Sequence, residues 1–387
     1  MGRKVGIEVS IAAADAAALC DVDVVAAYPI TPQTHVVEHL AELVASGHLD
    51  AEFVPVESEH SAMSVCCGSV AVGARTFTAT AAQGLALMAE IVYIAGSMRL
   101  PVVMFLSNRA LSGPLSIWND HSDTMMVRDS GWIQVFCENG QEVFDAIIHA
   151  FRVGEDPQVS LPVMVNVDGF VLTHVIEPIE YWTKEMVQKY LPPFQPVSRL
   201  TPEKPVSMGA FGMPEIYLEQ KVAHNVALLN SRPIIEKGWA ELAEVTGRKY
   251  SAVELYKVDD AETIILGMGT ICSTASLAVD QMRAEGKKVG LVKLRLWRPL
   301  PSDDLRRALA KAKDVVVLDR AICLGGGNAP VTAEIRAIMY PEPERPRIHC
   351  MIAGIGQRDV TPDDVRAMVD MALSQTIKDY HIYGVRG

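Results

Sequence analysis

The chain has 387 residues, of which 49% are hydrophobic, and its 35 Lys and Arg against 47 Asp and Glu give a formal net charge of −12. This length and apolar content exclude a disordered chain and predict two domains of ordinary size. The negative charge argues against nucleic acid and anionic membranes as partners, because proteins that bind them concentrate Lys and Arg.

Short β-branched runs alternate with Ala-rich stretches between residues 6 and 173, a pattern typical of a parallel sheet with helices on both faces. The predicted strands are 22–28, 52–57, 75–80, 101–107, 133–138 and 162–168, and helices 60–73 and 84–97 lie among them. Ligands of such sheets bind outside the carboxyl ends of the strands. We therefore expect one edge to gather the loops that begin at Pro29, Ser58, Ala81 and Asn108.

The second half of the chain begins with a proline-rich segment, 192–215, which contains six prolines and predicts a linker or an ordered wrap. A polar helical region follows over 215–242. A second α/β unit is then predicted from strands at 263–269, 288–300, 314–320 and 347–356.

The cysteines and the apolar stretches indicate the cellular compartment of the protein. Seven cysteines without a C-x-x-C pair exclude a disulfide framework and cluster motifs, and they predict buried thiols in a reducing compartment. Glu8 and Asp15 interrupt the N-terminal region where a signal peptide needs an apolar run. Charges and a proline break the most apolar region, 79–106, which predicts a buried helix and strand rather than a membrane span. We expect a cytoplasmic protein.

Two glycine-rich segments are weak candidates for nucleotide or phosphate sites. GMGTIC (267–272) follows a strand but lacks the third glycine of a dinucleotide fingerprint, and LGGG (324–327) is not followed by Lys-Ser or Lys-Thr. A tight strand-to-helix turn explains both glycines of GMGTIC better. No G-x-S-x-G, H-E-x-x-H or EF-hand pattern occurs, so those hydrolase and metal classes have no motif here.

Polar residues gather at the predicted strand ends. Glu59 has no Lys or Arg within three residues, so it either faces solvent or is held at a site, and the residues alone leave both open. Arg109 directly follows an apolar strand and presents a bidentate donor suited to a carboxylate. A salt bridge to a neighbouring acid explains Arg109 equally well.

These segments resemble the α subunit of the 2-oxoacid:ferredoxin oxidoreductases, most closely the multi-subunit pyruvate type. The resemblance covers nearly the whole chain and runs through YPITPQTHVVEHLAE (28–42), VESEHSAM (56–63), GARTFTATAAQGLALM (73–88), NRALSGPLSIWNDHSD (108–123), GWIQVF (131–136), DGF (168–170), LDRAICLGGG (318–327) and GQRDVT (356–361). It implies an α/β fold with a pyrimidine-type thiamine diphosphate-binding parallel-sheet domain at 1–185. It also implies a linker and helical wrap at 186–258, followed by a transketolase C-terminal-like α/β domain at 259–387.

The same resemblance implies an enzyme that converts a 2-oxoacid and coenzyme A to acyl-CoA and CO₂, with electrons passing to iron–sulfur clusters on partner chains. It assigns Pro29 and Glu59 to the thiamine cofactor, with Glu59 as the catalytic group at N1′ of the aminopyrimidine. It assigns Thr31 and Arg109 to the substrate. No G-D-G followed by Asn occurs, so we expect a β subunit to hold the diphosphate and Mg²⁺, beside γ and ferredoxin-like δ subunits and a ferredoxin acceptor.

The loop that follows Arg109 leaves the substrate open. Ser112 and Gly113 are candidate pocket residues, and the pyruvate-using relatives tend to have alanine where this chain has Gly113. The missing methyl group is either neutral or admits an aryl acid such as phenylglyoxylate, which makes an aryl-2-oxoacid oxidoreductase an alternative. We expect Asn119, Asp120, His121 and Asp123 to give structural support. A non-catalytic assembly subunit is the alternative from another class, against which Thr31, Glu59 and Arg109 together argue.

Overall fold

The computed structural model describes residues 2–374, 377 and 379–386. Its strands are β1 (Lys4–Glu8), β2 (Val24–Ala27), β3 (Glu52–Pro55), β4 (Thr76–Thr80), β5 (Val103–Asn108), β6 (Ile133–Phe136), β7 (Val163–Asp168), β8 (Ile176–Glu180), β9 (Val253–Tyr256), β10 (Thr263–Gly267), β11 (Val289–Leu294), β12 (Leu296–Arg298), β13 (Asp314–Asp319), β14 (Arg347–Ile352) and β15 (His381–Ile382). Its α-helices are α1 (Val9–Leu19), α2 (Thr34–Ala45), α3 (Glu59–Ala71), α4 (Ala82–Ser97), α5 (Ser122–Met126), α6 (Gly140–Gly154), α7 (Lys184–Tyr190), α8 (Pro214–Asn230), α9 (Arg232–Thr246), α10 (Ile271–Ala284), α11 (Ser302–Leu309), α12 (Pro330–Met339) and α13 (Pro362–Ser374).

The first sheet has seven strands in the order β12-β6-β7-β5-β4-β2-β3, and all neighbours are parallel except β12 and β6. Every residue of β4, β5 and β7 is buried, because helices cover both faces. Helices α1, α2 and α6 pack on one face, and α3 and α4 pack on the other. The six strands predicted for this sheet are confirmed.

The second sheet has six strands in the order β15-β14-β13-β10-β11-β9, parallel except for the antiparallel edge strand β9. Helices α10 and α13 cover one face, and α11 and α12 cover the other. Strand β9 lies within the region 186–258 that the sequence predicts to be linker and helical wrap. The α/β fold class is confirmed.

The prediction of one strand over 288–300 is wrong. The chain leaves the second sheet after Leu294, and Leu296–Arg298 then pairs with β6 of the first sheet. Arg295 lies between the two strands and donates to Glu142 at 2.7 Å and to Glu254 at 2.8 Å. Leu294 is buried in the second sheet and Leu296 in the first, so the apolar alternation continues through the crossover. Periodicity therefore does not reveal the change of sheet.

The antiparallel pair β1 and β8 is a third, two-stranded sheet that the sequence pattern did not indicate. Gly6 and Pro178 lie opposite one another in its register. Both residue types are poor in strands, and this conceals the alternation of the flanking residues.

The proline-rich segment is an ordered wrap across the first domain. Leu200 donates its N–H to the carbonyl of Ala71 at 2.8 Å, and Arg75 donates to the carbonyl of Pro192 at 2.9 Å. Phe194 packs against the core formed by α3 and α4. The wrap then enters α8 and α9, which confirms the predicted helical region.

The apolar region 79–106 becomes helix α4 and strand β5, as predicted. No helix in the described part of the chain combines the length and hydropathy that membrane crossing requires. All seven cysteines are free thiols, and five of them are buried, as the composition predicted.

Candidate active site

Four loops meet at the carboxyl edge of the first sheet, after β2, β3, β4 and β5. These strands are neighbours in the order β5-β4-β2-β3 and run parallel, so their carboxyl ends lie side by side. The loops carry Thr31, Glu59 and Arg109, and the predicted gathering of these segments at one edge is confirmed.

Glu59 is the first residue of α3. The Ser58 side chain caps this helix by accepting the N–H of Ser61 at 3.2 Å. Glu59 is only 6% exposed, yet its carboxylate accepts no hydrogen bond from any residue that the structure describes. The positive end of the α3 dipole favours a carboxylate at this position.

Gly84 makes room for the Glu59 side chain. A Cβ atom at position 84 would lie 2.7 Å from Glu59 Oε1 and would also collide with Thr80 Oγ1. Thr80 Oγ1, which would meet the same Cβ atom, is buried and has no hydrogen-bond partner within the described ranges. A buried carboxylate beside a buried hydroxyl without a partner fits a small polar heterocycle with donor groups, such as the aminopyrimidine ring of thiamine.

Sequence reasoning missed Gly84. The available signal was a glycine in the first turn of an otherwise Ala-rich helix, where glycine destabilises the helix by about 1 kcal/mol relative to alanine. A glycine at such a position indicates a close approach by another group. Here that group is the Glu59 side chain.

Arg109 directly follows β5 and is 5% exposed. Its Nε donates to the carbonyl of Ser116 at 2.8 Å, and its Nη1 donates to the carbonyl of Thr31 at 2.9 Å. No carboxylate among the described residues forms an ion pair with this guanidinium, so the salt bridge considered from the sequence is absent there. Burial lowers the pKa of Arg109, and the charge of Asp123 opposes that shift.

The contact between Arg109 and Thr31 depends on Gly169. A Cβ atom at position 169 would lie 2.5 Å from the Asn108 carbonyl and 2.7 Å from Pro32 Cγ. Glycine therefore lets the loop after β2 lie against the end of β5. Thr31 is itself exposed, so this residue borders the open side of the site.

Asp168 connects this edge to the second sheet. It accepts from His121 at 2.8 Å, from Arg320 Nη1 at 2.7 Å and from the N–H of Thr270 at 2.9 Å. Burial opposes its ionisation, but Arg320 and His121 outweigh burial and hold the pKa of Asp168 below its usual range. His121, which the sequence assigned to structural support, thus joins the loop after Arg109 to both sheets.

The remaining predicted site residues form no hydrogen bond with Arg109 in the described structure. Ser112 and Gly113 lie at the exposed tip of the loop, and Pro29 is exposed as well. Gly113 has a φ of +121°, and a Cβ atom there would meet no atom within 4 Å. Its missing methyl group therefore widens no cavity within the described residues. The structure lends no support to Gly113 as the basis for an aryl substrate.

Comparison with known families gives two matches along the chain. Residues 15–238 match the family described as "Pyruvate flavodoxin/ferredoxin oxidoreductase, thiamine diP-bdg". Residues 261–365 match "Pyruvate:ferredoxin oxidoreductase core domain II". The first match contains all the site residues of the first sheet, and the second contains Arg320.

Individual proteins resemble the chain over most of its length. Pyruvate synthase subunit PorA of Methanocaldococcus jannaschii is 46% identical over 93% of this chain and 92% of its own. The PorA subunit of Thermotoga maritima is 45% identical over 96% of this chain and 95% of its own. Ketoisovalerate oxidoreductase subunit VorA of Pyrococcus horikoshii is 42% identical over 93% of this chain and 91% of its own.

A solved structure of 2-oxoglutarate:ferredoxin oxidoreductase from Magnetococcus marinus shares the fold. The TM-score is 0.70 at 19% identity, over 95% of this chain and 65% of that one. A split-gene transketolase superposes with a TM-score of 0.54 at 14% identity, over 96% of this chain and 99% of the other. From the two family matches and the identities of 42–46%, the chain belongs to the thiamine diphosphate-dependent pyruvate flavodoxin/ferredoxin oxidoreductase family.

Proposed function

We propose that this chain is the α subunit of a multi-subunit, pyruvate-type 2-oxoacid:ferredoxin oxidoreductase, which forms acyl-CoA and CO₂ from a 2-oxoacid and coenzyme A. One observation carries the proposal. A buried arginine without a carboxylate partner and a buried glutamate without a hydrogen-bond partner, within the described residues, occupy the same sheet edge. The two groups have the charges that a 2-oxoacid and an aminopyrimidine require.

Glu59 and its surroundings would hold the pyrimidine ring of the cofactor. When bound, thiamine diphosphate supplies a nucleophilic carbon and an electron sink for decarboxylation. Glu59 would share a proton with N1′ of the ring, because its carboxylate is buried and has no competing donor in the described chain. Gly84 leaves the space for Glu59, and the Thr80 hydroxyl, which has no partner in the described chain, borders the same space.

Arg109 and Thr31 would bind the substrate. Arg109 uses one N–H of Nε and one of Nη1 for the carbonyls of Ser116 and Thr31. Three of its five N–H groups then remain, one on Nη1 and two on Nη2. The Nη1–Nη2 side of the guanidinium can therefore hold a carboxylate with two parallel hydrogen bonds. The Thr31 hydroxyl would donate to the ketone oxygen. Because decarboxylation removes the charge that Arg109 binds, its main contribution is orientation.

Partner subunits would complete the site. The loop after Arg109 is exposed, and Leu115 at its tip is 74% exposed, an apolar side chain suited to burial against another protein. A β subunit would carry the diphosphate and Mg²⁺, because the G-D-G pattern with a following Asn does not occur in this chain. Iron–sulfur clusters would lie on γ and ferredoxin-like δ subunits, with ferredoxin as the acceptor.

Pyruvate is the proposed substrate because the relatives of highest identity cited above are pyruvate synthase subunits. The ketoisovalerate oxidoreductase subunit, at 42% identity, supports a branched 2-oxoacid as the second candidate. The two acids share the carboxylate and ketone that Arg109 and Thr31 would bind, so they differ only in the contacts of the aliphatic group.

The test is Glu59→Gln in the natively assembled complex. We expect loss of about 10²–10⁴-fold in turnover, the usual contribution of an acid–base group. Glu57→Gln is the matched control, because Glu57 is exposed and lies two residues earlier. Thiamine and iron contents are measured in both, with pyruvate, 2-oxoisovalerate and phenylglyoxylate as substrates.

Each outcome has a definite meaning. Turnover of one acid that falls in Glu59→Gln but not in Glu57→Gln supports the proposal and names the substrate. Unchanged turnover in Glu59→Gln favours an assembly subunit instead. Turnover by the purified chain alone would contradict the proposed need for partner subunits.

A further inference from the structure

Asp123 links the two halves of the candidate site. It is completely buried, and its Oδ2 accepts the N–H of Arg109 at 2.9 Å and the N–H of Ala82 at 3.2 Å. Its Oδ1 accepts Asn108 Nδ2 at 3.0 Å and the N–H of Thr124 at 2.8 Å. One carboxylate therefore joins the end of β5 to the first residue of α4.

The two N–H groups that donate to Asp123 Oδ2 belong to residues beside the candidate site, and this makes the contact important. Arg109 lies one residue beyond β5, where strand pairing ends. Ala82 begins the helix turn that holds Gly84, the residue packed on Glu59, and it has a φ of +30°, which is rare for a residue other than glycine. Neither N–H has another acceptor within the described residues.

We propose that Asp123 is a positioning residue that fixes the distance between Arg109 and the α4 turn against Glu59, and so aligns the 2-oxoacid with the cofactor. This inference rests on the proposed roles of Arg109 and Glu59. Asp123 touches neither reactant itself. It acts through two backbone N–H groups, each in a charge-assisted hydrogen bond with one oxygen.

Only a carboxylate satisfies all four donors. An asparagine at position 123 would turn an amide N–H₂ towards either the Arg109 and Ala82 pair or the Asn108 and Thr124 pair, so one pair would face a donor. Burial raises the pKa of Asp123 to about 7, and Asn108 and the backbone N–H groups oppose this shift. The charge of Asp120, which lies on the same loop, raises the pKa of Asp123 further.

The experiment is Asp123→Asn in the assembled complex, with kcat and KM measured for the 2-oxoacid. We expect KM to rise at least tenfold and kcat/KM to fall about 100-fold, since misplacing a reactant by about 1 Å has an effect of this size. A merely structural role predicts fewer active complexes, with KM unchanged. That result would overturn the proposal.

Asp319→Asn is the matched control. Asp319 is also buried and accepts backbone N–H groups, from Val331 at 3.0 Å and Thr332 at 2.9 Å, but it lies at the end of β13 in the second sheet. We expect it to lower the melting temperature and leave KM unchanged. A rise in KM equal to that of Asp123→Asn would show a general effect of buried carboxylates and would also refute the proposal.

Two further measurements keep the proposal testable if Asp123→Asn does not assemble. Asp123→Ser removes the acceptor pair without placing an amide donor there, and we expect the same rise in KM. In the unaltered complex, oxamate supplies a carboxylate and a carbonyl without decarboxylation. We expect it to slow amide hydrogen exchange in both 82–85 and 109–111. Protection of 109–111 alone would contradict the proposed link.

Failure of this inference is distinguishable from failure of the proposed function. If Arg109→Lys raises KM and Asp123→Asn does not, Arg109 binds substrate without help from Asp123, and only the inference fails. If neither substitution changes KM, the assignment of Arg109 fails, and the inference that rests on it fails too.

Discussion

Arg109 and Arg320 occupy matching positions in the two sheets. Each is the residue directly after an apolar parallel strand in the middle of its sheet, β5 for Arg109 and β13 for Arg320. Each is buried, with exposed fractions of 5% and 7%. Their partners differ, because Arg320 forms an ion pair with the buried Asp168 at 2.7 Å, whereas the described contacts of the Arg109 side chain are carbonyl oxygens.

This difference separates a structural arginine from a candidate binding arginine. The charge of Arg320 is balanced inside the protein, where Asp168 also accepts from His121 and Thr270. Arg109 is held in place by neutral carbonyls, which fix its orientation and leave its charge for another group. Strand position alone therefore does not identify a binding residue. The two arginines are distinguished by whether the guanidinium forms an ion pair with a carboxylate.

The largest effect is expected when the structural pair is broken. Arg320→Leu leaves Asp168 buried with an uncompensated charge, and we expect a loss of about 3–5 kcal/mol in the free energy of unfolding. Urea unfolding of the full-length chain measures this loss. The double variant Asp168→Asn/Arg320→Leu removes the buried charge and should recover most of the stability. A double variant as unstable as Arg320→Leu would contradict this explanation.

A substitution at Arg109 should act on substrate binding instead. Lysine keeps the charge but loses the planar fork, so Arg109→Lys should lower kcat/KM for the 2-oxoacid about 100- to 1,000-fold, or roughly 3–4 kcal/mol. Steady-state kinetics of the assembled complex measure this effect. Arg320→Lys is the control, because it makes the same change beside Asp168 and should leave KM unchanged. Equal KM values in the two variants would remove the distinction between these arginines.

The pH dependence of stability sharpens the comparison. The folded-state pKa of Asp168 is depressed, so its contribution to stability is present above about pH 4, the unfolded-state value, and is lost as the pH falls through the lower folded value. In Arg320→Leu, burial without that partner raises the pKa of Asp168. We therefore expect the stability difference between the two chains to shrink between pH 7 and pH 4.

The size of that change is about 1.4 kcal/mol per pH unit, over the interval where Asp168 is protonated in the folded variant but ionised when unfolded. Urea unfolding at pH 7, 6 and 5 measures it. His121 faces Asp168 in both chains, so this contact is common to the two curves. A stability difference that stays constant with pH would show that Asp168 does not carry the lost stability.

Most of the first sheet could be predicted from the sequence because its central strands are short, fully apolar runs. The crossover between β11 and β12 could not, since Leu294 and Leu296 are both buried, although in different sheets. The pair β1 and β8 was missed because Gly6 and Pro178 interrupt its pattern. Local periodicity reports burial and says nothing about which partner strand provides it.

The candidate site shows a similar division. Resemblance to the family placed Glu59, Thr31 and Arg109 in one site, and the structure brings their loops to one edge. Gly84 and Gly169 could not be selected from a single sequence, because their importance lies in atoms that are distant along the chain. The open question about Arg109, a salt bridge or a free donor, required the positions of all nearby carboxylates.

The smallest effect is expected at Gly113, on the loop that packs over Arg109. Gly113→Ala should destabilise the chain by about 1 kcal/mol, because alanine is strained at a φ of +121°. No atom lies within 4 Å of the added Cβ, so the ratio of kcat/KM for pyruvate and phenylglyoxylate should not change. Kinetics with both acids measure this ratio. A shift towards pyruvate would mean that a partner subunit packs against Gly113 and that the missing methyl group widens the assembled pocket.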